Sequence, residues 1–348
     1  MELGTDTELV TELVPGMATG LVTGMDLLAD VLAVSGVRGT LGARIEAGEA
    51  WGVRWAENAD AVFYAVGAGT AWLGLPGEPP RQLMPGDVVL LPTGTAHSLS
   101  GEPAASVSSC DLTDAETARN EGGVLRFGSG PVRTHVLAAS YEHDPAVSTQ
   151  VLTLLPGVVH IRADKGGNCL DDTVRLLSRE LAHPRIGTAV VLNSLIDILL
   201  VQLLRVWLAT APDPSRPSWL GALRDALMAQ ALTKLHQQPA RAWTTELLAA
   251  ELAVSRATLS RRFLAVVGQS PGAYLTQWRM DLAARRLRDT DDSLESIAHS
   301  VGYTSVYAFS RAFSRDRSQP PGRYRAGIRD HVRDHVRDRD LDGARPPR

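Results

Sequence analysis

Apolar residues change their spacing along the chain near residue 165. From Asp26 to about His160 they come in short runs, such as Val62–Val66, Val88–Leu91 and Val136–Leu137. Turns such as Pro76-Gly77 and Pro85-Gly86-Asp87 separate them. Many short strands at this spacing predict a small β-barrel or sandwich. Residues 112–123 are polar and read as a loop. Past Gly166-Gly167 the period becomes helical: Leu170–Leu181 is amphipathic, and Ala189–Ala209 is apolar on nearly every side. The latter contains Asn193, Asp197, Gln202 and Arg205, too many polar groups for a bilayer span. It reads as a core or interface helix, and no membrane is expected. The Pro-rich stretch 211–217 is the strongest linker, and short helices follow to about Gly327. The tail 329–348 repeats His-Val-Arg-Asp and reads as solvated, so His331 and His335 are not taken as metal ligands.

With 44% hydrophobic and 21% charged residues, the 348-residue chain can bury a core, which excludes global disorder. Two cysteines exclude a disulfide framework and four-thiolate zinc modules. The first 24 residues hold Glu2, Asp6, Glu8 and Glu12 and no Lys or Arg, so a signal peptide is not expected and the cytoplasm is. The net charge of −4 hides an asymmetry. Residues 1–218 hold 25 acidic and 14 basic side chains, whereas 219–330 hold 16 basic and 10 acidic. A basic back half suggests a polyanionic partner.

That back half contains an internal repeat. Ser255, Ser260, Arg261 and Phe263 recur fifty residues later as Ser305, Ser310, Arg311 and Phe313. Gly268, Pro271 and Tyr274 are matched by Ser318, Pro321 and Tyr324. Two copies of one supersecondary unit account for this. In the first copy Thr244/Thr245 cap a helix, Ala253-Val254 turn, and Ser255 caps a second helix with Leu259 and Phe263 inward. In the second, Ser293 caps, Gly302 turns, and Ser305 caps a helix with Phe309 and Phe313 inward. Ser270-Pro271 opens a long helix to about Arg288 between the copies.

Residues 219–325 resemble the DNA-binding domain of AraC/XylS-family transcription regulators. The resemblance rests on Ser255–Phe263, Gly268–Pro271, Trp278–Met280, Ile297–Tyr303, Phe309–Phe313 and Tyr324-Arg325. One departure is Ser318-Gln319-Pro320, where the family has Gly-x-Ser. The resemblance implies two recognition helices on major-groove faces about one turn (~10 bp) of double-stranded DNA apart. Setting the inward residues aside leaves Arg256, Ala257, Ser260 and Arg261 on the first, and Val306, Tyr307, Ser310 and Arg311 on the second. Arg261 and Arg311 are expected on guanine edges and Arg256 on base or phosphate. Arg262 and Arg315 are expected on phosphates, while Val306 and Tyr307 pack on thymine methyls or sugar. Trp243 and Trp278 are expected in the core.

In the front half, Gly86-Asp-Val-Val-Leu-Leu-Pro92-Thr-Gly94-Thr-Ala-His97 resembles the second motif of cupin barrels. Metal-binding cupins add earlier histidines, and no histidine precedes His97 here. No metal, no cofactor and no catalysis are therefore expected. The fold class is a cupin-like β-barrel, a helical linker and an all-α domain with two helix-turn-helix units. Residues 1–24 read as a flexible extension, 25–165 as a ligand sensor and 166–217 as linker and dimerisation region. Residues 218–328 read as the DNA-binding domain, with helix-turn-helix units at 244–264 and 293–314, and 329–348 as a flexible tail. His97, Tyr64, Trp72, Trp55 and His135 are the candidate ligand-binding residues, with Trp51 and Tyr141 as further lumen candidates. The expected function is a sequence-specific transcription regulator governed by a small molecule, acting as a homodimer and meeting RNA polymerase. The rival readings are a cupin-type enzyme tethered to DNA, a redox sensor using Cys110 and Cys169, and a ligand-independent DNA binder.

Overall fold

The computed structural model describes residues 27–58, 60–103, 105–110, 123–142, 151–163, 167–210 and 217–328. The extension 1–24, nearly all of the loop 112–123, linker residues 211–216 and the tail lie outside the described residues. The chain divides into two compact units, one from Ser35 to Asp213 and one made of the residues before Ser35 and after Asp213. The first helix, α1 (residues 27–35), groups with the C-terminal unit, whereas the sequence pattern sets it at the head of residues 25–165. The supposed linker helices group with the sheets.

The unit Ser35–Asp213 begins with β1 (Arg38–Glu49), β2 (Gly52–Trp55), β3 (Ala61–Ala68), β4 (Ala71–Gly74), β5 (Arg81–Leu83) and β6 (Val88–Leu91). It continues with β7 (His97–Ser100), β8 (Ser108–Ser109), β9 (Val124–Phe127), β10 (Ser129–Glu142) and β11 (Val159–Ile161). The strands form a six-stranded sheet, β11-β6-β3-β10-β1-β9, and a five-stranded sheet, β5-β4-β7-β2-β8. The expected barrel is thus two sheets rather than one closed ring. Strand alternation sends Ile45, Tyr64, Val66 and Val136 from one sheet, and Val53, Leu73 and Leu99 from the other, into a shared core.

Two helices follow, α2 (Gly167–Ala182) and α3 (Thr188–Thr210). The Tyr141 hydroxyl donates to the Ile196 carbonyl at 2.8 Å, and Asp197 accepts from the Gly39 amide at 2.8 Å. A β-carbon on Gly39 would lie 2.4 Å from Ile196 Cγ2, so this close approach of strand and helix requires glycine. Burial pushes the Asp197 carboxyl up, against the Gly39 amide and Arg38. Leu192, Leu195, Ile196, Leu199, Leu200, Leu203 and Leu204 are all buried inside their own chain. Each contributes roughly 1.5–3 kcal/mol. Only Val190, Val191 and Ile198 remain as large exposed apolar residues on this helix.

The second unit contains α4 (Trp219–Ala222), α5 (Ala226–Gln237), α6 (Thr245–Glu251), α7 (Arg256–Val267) and α8 (Pro271–Asp289). After these come α9 (Leu294–Ser300), α10 (Val306–Arg317) and α11 (residues 321–328). The side chains of Asp225, Thr244, Ser255, Ser270, Ser293 and Ser305 each accept from a backbone N–H two or three residues on. Each cap stabilises its helix by about 1 kcal/mol. On α1, Leu27, Leu28, Val31 and Val34 recur at helical spacing and are all buried. Its Asp30 carboxylate lies 3.5 Å from His236 Nδ1, within this same unit. His236 stacks on Trp278 at 3.7 Å and is hydrogen-bonded through Nε2 to the Tyr274 hydroxyl at 2.7 Å. A buried ion pair joins Asp281 of α8 to Arg317 at the end of α10. Trp278 is core, as expected. Trp243 is not: it is half-buried, donates to the Gln238 carbonyl and carries Arg241 over its ring at 4.2 Å.

Candidate DNA interface and sensor cluster

Each helix-turn-helix unit is fixed by the same three devices. The first helix is capped by Thr244 or Ser293, and the second by Ser255 or Ser305. A residue at positive φ makes the turn, Ala253 at 54° and Gly302 at 85°. Leu259 and Phe263, or Phe309 and Phe313, are fully buried beneath the recognition helix. Gly302 has a second constraint, since a β-carbon there would lie 2.9 Å from the Ala240 backbone.

With those residues anchored, α7 exposes Arg256, Ala257, Arg261 and Arg262, and α10 exposes Tyr307, Arg311 and Arg315. Ser260, Val306 and Ser310 are half-buried on the same helices. Arg261 has no intramolecular partner among the described residues, so its fork of donors is available. Arg311 sits over the Tyr307 ring at 5.7 Å, and Tyr307 is 72% exposed. Arg256 is held by Glu246 across the turn at 2.8 Å. The Glu246 carboxyl lies below its usual range because of a hydrogen bond from its own backbone at the helix start, with Thr244 and Arg256 adding to it. Arg262 is tied to the half-hidden Asp225 at 2.8 Å, so it braces α7 against α5 besides facing solvent. The sequence reading missed Leu264, which is 56% exposed three residues after Arg261. Its signal was available: an apolar residue off the Leu259/Phe263 stripe.

In the other unit, Tyr64, His97 and Trp55 come together. His97 Nδ1 faces the Thr95 carbonyl at 2.7 Å, and its Nε2 faces the Tyr64 hydroxyl at 2.7 Å. The carbonyl only accepts, so Nδ1 carries the proton and the tyrosine donates to Nε2. Burial lowers the His97 pKa, with the Thr95 carbonyl opposing, and burial with nearby Cys110 raises that of Tyr64. The imidazole is neutral at pH 7. Trp55 stacks on His97 at 5.3 Å and is only partly buried.

Trp72 and His135 do not join this cluster. The flanking Ala71 and Leu73 point into the core, so alternation places Trp72 on the outer face of its sheet. His135 likewise lies outside, next to the inward Val136. Tyr141 anchors α3, and Trp51 is packed core. Cys110 is buried and Cys169 exposed, with no disulfide between them. Among the described residues no group of three His, Cys, Asp or Glu side chains is placed to hold a metal ion.

Comparison with known proteins agrees with both halves. Residues 26–209 match the cupin family and 248–327 a helix-turn-helix domain family. An AraC-like transcription regulator of Streptomyces lividans is 38% identical over 80% of this chain and 91% of its own. The transcriptional regulator AlkR of Acinetobacter baylyi is 28% identical over 64% of this chain and 74% of its own. Among solved structures, the DNA-binding domain of AdpA in complex with a target DNA is 30% identical, covering 30% of this chain and 93% of that one, with a TM-score of 0.29. A helix-turn-helix protein with a cupin front half defines a class of DNA-binding transcription regulators. The chain belongs to the AraC-like family of these regulators.

Proposed function

We propose that a small molecule taken up at the Trp55–Tyr64–His97 cluster controls the DNA binding of this regulator. The observation that carries the reading is a hydrogen-bonded tyrosine–histidine pair inside an otherwise apolar core. Such a pair can exchange its mutual bond for bonds to a ligand, and Trp55 offers a partly exposed flat surface beside it. No catalytic step is assigned to the cluster; its role is recognition in the cytoplasm. Arg261 and Arg311 read base edges, and Arg256 and Arg315 hold phosphates. RNA polymerase is the further partner through which bound protein acts on transcription.

Genome-wide footprinting of the purified full chain tests this reading. The bound promoters name the pathway and hence the effector class. That effector should shift the wild-type footprint and leave the Tyr64→Phe footprint unmoved. An unchanged wild-type footprint with every metabolite of the pathway would refute ligand control.

Dimerisation is the second element, through the residues of α3 that the chain leaves uncovered, Val190, Val191 and Ile198. A second copy of this helix covers them best, because pairing two DNA-binding units raises their effective concentration on paired sites. Leu199 and Leu203 are fully buried within the chain, so changing them would test folding instead. Val190→Glu with Ile198→Glu should give a folded monomer by sedimentation. A wild-type chain that sediments as a monomer contradicts the pairing.

A further inference from the structure

The displaced His135 lies in a groove of about 230 Å³ between the outer face of the six-stranded sheet and α2. Arg44, His135 and Ser178 supply its polar groups, Leu137 and Ala68 its apolar wall, and Gly67 an open floor. Two features of the groove are unexplained by folding. The Arg44 Nε is buried and makes no hydrogen bond, although buried donors are nearly always paired. His135 has no hydrogen-bond or ionic partner among the described residues. The local charge is also unbalanced: Arg44 and Arg126 share the single carboxylate of Glu46, at 2.8 Å and 3.2 Å. Two unused donors beside a surplus guanidinium call for an acceptor with negative charge.

We propose that this groove binds a small carboxylic acid as its anion. The carboxylate accepts from Arg44 Nε and His135, and the apolar body lies against Leu137 and Ala68. The volume is below that of drug-sized pockets, so the ligand is compact. Ser178 comes from α2 and closes one side, and its hydroxyl already donates to the Val174 carbonyl, leaving it as an acceptor and a wall. The site is separate from the Trp55–Tyr64–His97 cluster, and neither proposal depends on the other.

Calorimetric titration of the full chain with cyclohexanecarboxylate and with the uncharged cyclohexanecarboxamide tests the assignment. The acid should bind, and the amide at least about tenfold more weakly, since it lacks the charge that Arg44 recognises. Arg44→Gln should weaken the acid by a similar factor. Ser178→Leu, which keeps every charge and fills the groove from α2, should abolish binding. Tyr64→Phe, in the other cluster, should leave it unchanged. Circular dichroism and retained DNA binding establish that each variant is folded. The proposal is overturned if acid and amide bind alike, if Arg44→Gln or Ser178→Leu keeps full affinity, or if the acid fails to bind at about 10 mM.

Discussion

Residues 244–267 and 293–317 are two versions of one device, and they diverge most where burial does not hold them. The capping side chains and the inward Leu259/Phe263 and Phe309/Phe313 pairs correspond. The first helices of the two units are offset by 49 residues and the recognition helices by 50, so the second turn carries one extra residue, between Tyr303 and Ser305. The reading faces differ more. The first unit presents Arg256 braced by Glu246, then Arg261 and Leu264; the second presents an aromatic, Tyr307, beneath Arg311. Framework positions are dictated by packing and capping, whereas the outward stripe is free to be shaped by DNA. The second unit is also the one locked by a buried ion pair, Asp281–Arg317, and its recognition helix ends on Ser318 at φ 56° where the first has Gly268 at φ 86°.

The largest test of this contrast is Asp281→Ala. It takes from Arg317 its buried carboxylate and leaves it only Asp316 at 3.3 Å, and should cost about 3 kcal/mol in urea unfolding, whereas Arg262→Ala, on the half-exposed brace of the first unit, should cost about 1 kcal/mol or less. Next come Arg261→Ala and Arg311→Ala, each expected to weaken specific DNA binding by about 1–3 kcal/mol with the fold intact. Wild-type footprints from both variants would show that the assigned register of the reading faces is wrong. Combining Arg311→Ala with Tyr307→Leu should reveal a coupling of about 0.5–1 kcal/mol with no equivalent in the first unit. Ser318→Gly should stabilise the chain by about 1 kcal/mol, and Gly268→Ser should destabilise it by a similar amount, since only glycine holds that backbone region without strain. Equal and null effects at both positions would remove the distinction.

Acid gives the smallest effect at neutral pH. Burial lowers the His236 pKa from 6.5, against the opposing pull of Asp30. The unfolded chain therefore takes up the proton first, so stability is whole above about pH 6.5 and declines as the pH falls toward the folded-state value. His97 shifts in the same direction in the other unit. Unfolding midpoints at about pH 7.5 and about pH 5.5 should converge in His236→Gln and His97→Gln, each flattening its own share. An unaltered slope in both would mean that neither imidazole is held neutral.

What the sequence made legible was whatever local periodicity or capping controls. The caps at Ser255, Ser270, Ser293 and Ser305, the turn at Gly302 and the inward phenylalanines all stand where the pattern placed them. His97 points inward because its motif fixes a strand entry and return. Composition alone groups Trp72, His135 and Tyr141 with the lumen, whereas strand register decides which sheet face each side chain takes. The apolar neighbours of Trp243 point to the core, yet its indole N–H needs an acceptor and finds one at the surface, in the Gln238 carbonyl. The membership of α1 was beyond local pattern altogether, since its buried stripe says only that a partner exists.

That membership alters how the protein can be dissected. Among the described residues, 27–34 belong to the helical unit, those from Ser35 to 210 to the sheet unit, and 217–328 to the helical unit again. In topological terms the sheet unit is inserted between two parts of the sequence of the helical unit. A fragment beginning at Trp219 therefore lacks the buried Leu27, Leu28, Val31 and Val34 and the Asp30 carboxylate that faces His236. A faithful minimal reader of DNA would be a fusion in which residues 27–34 are spliced through a short flexible linker to residue 217.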